Sequence, residues 1–381
     1  MAAMSVARKA MRLIGSRRRL RSVGPIGIDF ALESLHIVQL QHGASGSPEV
    51  RARTSESYGC ARKEVLENPL TLRALIKKAL AKDRFSGRRA IVAVPSGLFR
   101  TVSINFQSPA GKDVEAQAVL KLMRDRVDGN IEDYVLDYLP VSNQGRSDER
   151  LALVAVSEQR AIVDLLESLR RSRLDVDALE IGPVAICRLV GAMSAESGAG
   201  NVLVINSGRR ASYLTLLSGN ELLFDQEVAF GENALAQQVA GTLDMTDEMS
   251  RELITRTGVR ARGDSPPDEA NASDTGLADT VTEILKPQFL QLVEEIKRVC
   301  MYAAAETRGG SVSHIYLLGS VARWPGSDRL LSMLTDMAVH KIPNPLALFP
   351  KGSVTDTITG SASAPEVAVA TGLALKGMLD G

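Results

Sequence analysis

Three short segments, far apart in the chain, constrain its fold more than any other feature. They are Pro25-Ile26-Gly27-Ile28-Asp29-Phe30-Ala31-Leu32-Glu33-Ser34, Val202-Leu203-Val204-Ile205-Asn206-Ser207-Gly208, and Ile315-Tyr316-Leu317-Leu318-Gly319-Ser320 running on to Pro325-Gly326. Each is a run of branched apolar residues, as a buried strand requires, ending in small or polar residues suited to a tight turn. A hydrophobic element follows each one. Repeated strand–turn units of this kind predict an α/β protein.

At 381 residues the chain is long enough for two or more cores. Hydrophobic residues make up 45% and charged residues 24%, as in an ordinary globular protein. Lys+Arg and Asp+Glu both number 45, so the global charge gives no reason to expect nucleic acid. Its distribution is uneven. Residues 1–22 hold Arg8, Lys9, Arg12, Arg17, Arg18, Arg19 and Arg21 and no acid, and Ala3, Ala7, Ala10 and Ile14 fall at roughly helical spacing. Two readings stand: a basic amphipathic helix touching an anionic membrane surface, or a solvated tail. Cys60, Cys187 and Cys300 lack CxxC spacing, and His36, His42, His314 and His340 lack HExxH-type pairing, so no metal site is expected. No apolar stretch approaches the ~20 residues that cross a bilayer, and the basic start lacks the apolar core of an export signal. A cytoplasmic protein is expected.

Along the chain, strands are expected at Gly27–Phe30, Ser34–Gln41, Glu49–Ser57 and Ala90–Pro95, with a helix at Leu70–Ala81. Thr101–Phe106, Asp113–Asp128, Tyr134–Val141, Arg150–Ser157, Glu158–Arg171 and Val176–Leu179 then read as a β-α-β-β-α-β unit, with Gln144–Glu149 as its polar hairpin loop. A meander follows over Asn201–Ile205, Ala211–Ser218 and Glu221–Ala229, then helices over Asn233–Leu243, Thr246–Thr257 and Asp279–Glu306. Residues 261–276, rich in Asp, Ser, Pro, Ala and Gly, read as a mobile insertion. Ile315–Leu318 is a strand, and Asp328–Met337 and Glu366–Leu379 are helices.

With those residues in that order, the chain resembles the PilM family of type IV pilus assembly proteins, FtsA-like members of the actin superfamily. The likeness covers about residues 24–380. Glu115-Ala116-Gln117, Asp137-Tyr138, Phe230-Gly231 and the tail Ala370-Thr371-Gly372-Leu373-Ala374-Leu375 add to the three turns. The resemblance implies an actin-like (ribonuclease H-like) two-lobe α/β fold with an inserted α+β subdomain in the first lobe. Its expected divisions are the tail 1–22, a first-lobe sheet domain 23–97 completed by 365–381, the insert 98–182, a second-lobe sheet domain 183–230 completed by 310–364, and a helical subdomain 231–309. It also implies a nucleotide cleft between the lobes and a groove for the cytoplasmic N-terminal peptide of a PilN-like single-pass membrane protein. The protein would then act at the cytoplasmic face of the inner membrane, and self-association is a further expectation.

On this resemblance the cleft residues are Asp29, Ala31, Asn206, Gly208, Gly231, Gly319, Ser320 and Gly326. Several depart from the family's pattern. Ala31 stands for a glycine, and Leu32 and Glu33 stand for hydroxyl residues. A phosphate loop needs close backbone N–H groups and hydroxyl donors, and an inward Glu33 would either repel a triphosphate or act as a magnesium ligand. Asn206 stands for an acid, which weakens magnesium binding. Ser320 stands for the second glycine of a pair. Gly231 matches a family glycine where a helix begins, although an ordinary helix-start turn explains it equally. Arg209 and Arg210 either attract anions or are solvated at the hairpin tip. Trp324, the only tryptophan, is either an adenine platform or a core anchor. The cofactor expectation is none, or weak ATP/Mg. The candidate partner-groove residues, chosen from strand and helix positions, are Leu98, Phe99, Arg100, Met123 and Val127, and ordinary subdomain core explains them as well. Three functions follow in rank: a non-enzymatic adaptor, a protein using ATP structurally, and a small-molecule kinase. The last needs a carboxylate base, and none stands after the second strand pair.

Overall fold

The computed structural model describes residues 23–43, 46–107, 112–141, 149–193, 200–219, 221–261, 272–307, 309–349 and 364–379. The basic tail, the polar loop at 142–148 and most of the expected insertion at 261–276 lie outside the described residues.

Two five-stranded sheets share one topology. In the first, β1 (Val23–Phe30), β2 (Ser34–His42) and β3 (Pro48–Ser57) form an antiparallel meander. Then β4 (Arg89–Ala93) pairs parallel to β1, and β8 (Asp175–Glu180) pairs parallel to β4. The second sheet repeats the plan. Strands β9 (Asn201–Ser207), β10 (Ser212–Ser218) and β11 (Glu221–Val228) make the meander, and β12 (Val312–Gly319) and β13 (Val339–Lys341) add parallel strands. Parallel strands need both faces covered. Accordingly the apolar residues Leu203 and Ile205 of β9 and Ile315 and Leu317 of β12 have no exposed surface.

Helices follow from local chemistry. Asn68 accepts from the backbone N–H of Leu70 and Thr71 and so starts α2 (Pro69–Leu80), with Pro69 at the first position, where its missing N–H costs nothing. A short α1 (Arg62–Glu67) precedes it. Leu72, Ile76 and Ala79 of α2 enter the first-lobe core with Leu165 and Leu169 of α4 (Gln159–Arg171). Between the two sheets lie α5 (Gly182–Met193) and α10 (Ala368–Leu379). Both are apolar, because one cluster joins them to Val38 and Leu40 of the first sheet and Val204 and Leu318 of the second. The second lobe is covered by α6 (Glu232–Leu243), α7 (Asp247–Thr257), α8 (Ala272–Glu306) and α9 (Ser327–Thr335).

Two expectations are corrected here. The strand near Val176–Leu179 is not part of the insert: it is β8, paired with β4, and α4 packs in the first-lobe core. The insert's own sheet has three strands in the order β5-β7-β6, formed by β5 (Arg100–Gln107), β6 (Tyr134–Val141) and β7 (Glu149–Glu158) and backed by α3 (Lys112–Arg124). The chain therefore rejoins the first sheet well before residue 182. The reason is long-range pairing, which strand order alone does not specify. In addition, the helix expected from Asp279 begins at Ala272, so it takes in the last residues of the stretch expected to be a mobile insertion. No helix among the described residues is long and apolar enough to cross a membrane.

Candidate functional site

The turns that end β1, β9 and β12 meet at a cavity of about 560 Å³ between the lobes. Asp29, Ala31, Glu33, Arg62, Ser96, Asn206, Gly208, Arg209, Arg210, Gly319 and Ser320 are among its lining residues. Of the eight expected cleft residues, six therefore converge. Gly231 and Gly326 are displaced from the wall, and each meets backbone instead. A Cβ on Gly231 would lie 2.3 Å from the Arg210 carbonyl carbon, and one on Gly326 would lie 2.0 Å from the Val259 carbonyl oxygen.

Several polar groups of these turns are engaged by the protein itself. The Tyr58 hydroxyl oxygen lies 2.8 Å from the carbonyl oxygens of both Ala31 and Ser34, so its single proton is shared between them. Burial pushes that hydroxyl's pKa up, the nearby Asp29 adds to the shift, and Arg62 opposes it. The Glu33 carboxylate crosses the cleft: it accepts from Arg209 Nη1 at 2.7 Å and from Asn233 Nδ2 at 3.1 Å. Arg209 also lies 3.8 Å from Glu232. Ser207 donates to the Leu318 carbonyl at 2.9 Å and accepts from the Val321 N–H at 2.9 Å. The Ser320 hydroxyl faces the Ser207 and Gly208 carbonyls at 3.3 Å.

The start of α6 is engaged too. A helix N-terminus offers unpaired N–H groups and suits anions. Here the Glu232 N–H donates to the Gly208 carbonyl at 3.1 Å and the Asn233 N–H to the Arg209 carbonyl at 2.8 Å. The close approach needs Gly231, since any side chain would overlap Arg210.

Other residues of this region had no sequence signal. Arg62 reaches from α1 to the Phe30 carbonyl at 3.1 Å, to Ser96 Oγ at 3.2 Å and to the Ser96 carbonyl. Arg323 and Glu366 form an ion pair at 2.7 Å. Beside them, burial holds His36 neutral, its pKa lowered to about 4. Trp324 is 1% exposed and sits in the second-lobe core, so it anchors the core and is not an adenine platform.

Two carboxyls are pushed toward neutrality. Asp29 is raised to about 7 by burial, with Arg62 opposing. Asp225, which accepts from Thr215 at 2.6 Å, is also raised to about 7 by burial, and Glu227 adds to the shift. A carboxyl raised in the folded state keeps a proton that the unfolded chain releases from about pH 4 upward. Its presence therefore lowers stability as pH rises from about 4 to about 7, and the penalty persists above that. Asp29→Asn removes the penalty and is expected to stabilise the protein by ~2 kcal/mol at pH 8, discounted from the full shift because the carboxyl opens on the cavity. The gain should shrink toward zero as pH falls below about 4. Thermal unfolding of both forms across this range checks it; a constant difference would contradict the assignment.

The expected partner residues divide. Phe99 lines the cleft cavity, Leu98 packs against the first-lobe core, and Arg100 is exposed, donating to the Arg126 carbonyl at 2.7 Å. Met123 is 0% exposed and Val127 9%. Both belong to the insert core with Ile104, Phe106 and Val154, so neither faces a peptide. Their apolar spacing on α3 and just beyond reflects that core.

Another surface was missed. β6 ends its three-stranded sheet, with no strand beyond it among the described residues. Its Tyr134 pairs with Glu158, the residue before α4, and β6 and α4 are in contact. Val135 on β6 and Val163 and Leu166 on α4 are 42%, 44% and 36% exposed. No sequence signal separated these from the inward residues beside them.

Comparison with known proteins places this frame. A chain of the "PilM-PilN type IV pilus biogenesis complex" is similar over 94% of this chain and 99% of that one, with 21% identity and a TM-score of 0.72. The ethanolamine utilization protein EutJ from Carboxydothermus hydrogenoformans is similar over 98% and 99%, with 13% identity and a TM-score of 0.51. The two-lobe fold is actin-like. The family profile described as type IV pilus assembly protein PilM matches residues 27–378. Spanning both sheets and the insert between their strands, that match means that the chain belongs to the PilM family of type IV pilus assembly proteins.

Proposed function

We propose that this PilM-family chain is a non-enzymatic adaptor that holds the cytoplasmic N-terminal peptide of a PilN-like single-pass membrane protein at the cytoplasmic face of the inner membrane. The observation that carries this reading is the position of β6 as the last strand of its sheet, in contact with α4, which carries the exposed Val163 and Leu166, and itself carrying the exposed Val135. An edge strand presents unpaired N–H and C=O groups to an extended peptide. The apolar residues of α4 alongside would take alternate side chains of that peptide. Similarity to a chain from a PilM–PilN complex supports the choice of partner.

The cleft fits this role better than it fits catalysis. The residues present do not fit a magnesium-bound triphosphate. The Glu33 carboxylate lies among the groups that would face the phosphates, and the Ser207 and Ser320 hydroxyls and the first N–H groups of α6 are bonded within the protein. The cleft thus acts as a fixed joint between lobes.

The test is calorimetry of the full chain with a synthetic peptide of the partner's cytoplasmic N-terminus. Val163→Asp with Leu166→Asp is expected to lower affinity at least tenfold, by putting charge where apolar contact is needed, at a cost of ~1.4 kcal/mol or more. Both residues are exposed, so the fold should survive. Unchanged affinity would place the peptide elsewhere.

A further inference from the structure

Strands β12 and β13 run parallel, with Ile315 opposite Val339 and Tyr316 opposite His340. Side chains alternate across a sheet, so His314, two residues before Tyr316, shares a face with Tyr316 and His340. The three rings form one cluster near the start of β12. The centroids of His314 and His340 lie 5.5 Å apart with planes at 69°, so the two imidazoles do not stack. Tyr316 stands 4.8 Å from His314 and 6.1 Å from His340. His314 is half-buried and His340 exposed. The cleft lies at the other end of β12, where Gly319 and Ser320 line it.

The tautomer of His314 follows from its bonds. Ser313 Oγ lies 3.0 Å from the Asn201 carbonyl oxygen and 2.8 Å from His314 Nδ1. A carbonyl only accepts, so the single hydroxyl proton of Ser313 goes to Asn201. The hydroxyl oxygen then accepts from His314, whose Nδ1 carries the ring proton. His314 Nε2 is left with its lone pair. Asn201 is itself held firmly, because its side chain donates to Thr307 Oγ1 and to the Gly310 carbonyl, each at 2.9 Å. The relay from Asn201 through Ser313 thus presets one imidazole as a ligand.

We infer that His314 and His340 form a surface site for a late first-row divalent cation, zinc in the first place. Two imidazoles on one tetrahedral zinc, each bonded at about 2.0–2.1 Å, hold their ring centres about 5 Å apart. The bond from Nδ1–H to Ser313 is the outer contact that metal-binding histidines make, fixing the ring and its tautomer. Imidazole suits zinc, copper and nickel, whereas magnesium and calcium take oxygen ligands. Among the described residues no group of three or more His, Cys, Asp or Glu is placed to hold an ion, so water completes the coordination and the site is open. The two histidines stand far apart in sequence and meet only through the pairing of β12 with β13, so metal-ligand spacing gave no sign of them. This inference depends neither on the peptide groove nor on the cleft.

Calorimetric titration of the full chain with Zn²⁺ tests it. The wild type is expected to bind one ion per chain in the micromolar range and to give no heat with Mg²⁺ at the same concentration. His314→Gln and His340→Gln should each weaken zinc binding at least tenfold. Ser313→Ala keeps both rings but frees the tautomer, and should weaken it about tenfold. His42→Gln, which alters a histidine outside the cluster, should bind as the wild type does. His340 is exposed, so His340→Gln should keep its melting temperature without zinc. The inference is overturned if the wild type gives no heat below about 1 mM Zn²⁺, if either histidine variant binds like the wild type, or if Mg²⁺ competes. Unchanged affinity in Ser313→Ala would contradict the relay.

Discussion

Replacing Glu33 by Ala is expected to raise the affinity of the cleft for ATP about thirtyfold. In the folded protein this carboxylate points across the cleft to Arg209 and Asn233. Beside a phosphate, one like-charge pair at ~4 Å costs about 4 kcal/mol at an effective dielectric of 20. Glu33 is part-exposed, its side chain 36% accessible and that of Arg209 49%, so solvent reduces this to about 2 kcal/mol, a factor of ~30. Its removal also leaves Arg209, which lines the cavity, without that carboxylate. The ion pair itself contributes little to stability at such exposure, so the variant should melt within a few degrees of the wild type. Calorimetric titration with ATP reads the effect. No gain in affinity would mean that Glu33 is not what excludes the phosphate.

The second large effect is structural. Gly319→Ala is expected to destabilise the protein by about 3 kcal/mol or more and to lower the melting temperature by roughly 4 °C or more. Gly319 has φ 81° and ψ −161°, a conformation open to glycine. Its missing side chain also matters, because a Cβ there would lie 1.9 Å from the Ser207 carbonyl oxygen. The second and third turns are stitched at this point, with Ser207 bonded to Leu318 and Val321. Gly129→Ala is the control. It has φ 86° and nothing within 4 Å of the added carbon, so it should cost only about 1 kcal/mol. Equal losses for the two would mean that backbone strain, and not the overlap, sets the cost at Gly319.

These two positions show how much of the molecule was legible in its sequence. Apolar runs ending in Asp29, Asn206 and Gly319 marked the strands and the turns that converge, because strand and turn chemistry is local. The meander Asn201–Ala229 and the helix starting near Leu70 were legible for the same reason. Less legible were elements whose identity depends on distant partners. β8 looked like a sixth element of the insert, but its partner is β4, some 80 residues earlier in the chain. Helix α5 begins at Gly182-Pro183, a pair that reads as a breaker, and it is helical because both of its sides are buried between the sheets. α1 has one buried residue, Val65, too few for a periodic signal.

The site was legible in its losses and hidden in its replacements. On the proposed adaptor reading, Ala31, Glu33 and Asn206 are visible in the sequence as departures from a phosphate grip. That Tyr58, Asn233 and the start of α6 engage the same turns is visible only once the chain has folded. Met123 illustrates the opposite error. Its helical spacing suggested a groove, whereas zero exposure places it in the insert core.

Calorimetric titration of the wild-type full chain with ATP and Mg²⁺ tests the account most directly. A cleft whose turns are bonded to one another should give no binding heat below about 1 mM nucleotide. A dissociation constant under ~10 μM would contradict it and make the protein one that uses ATP as a structural ligand.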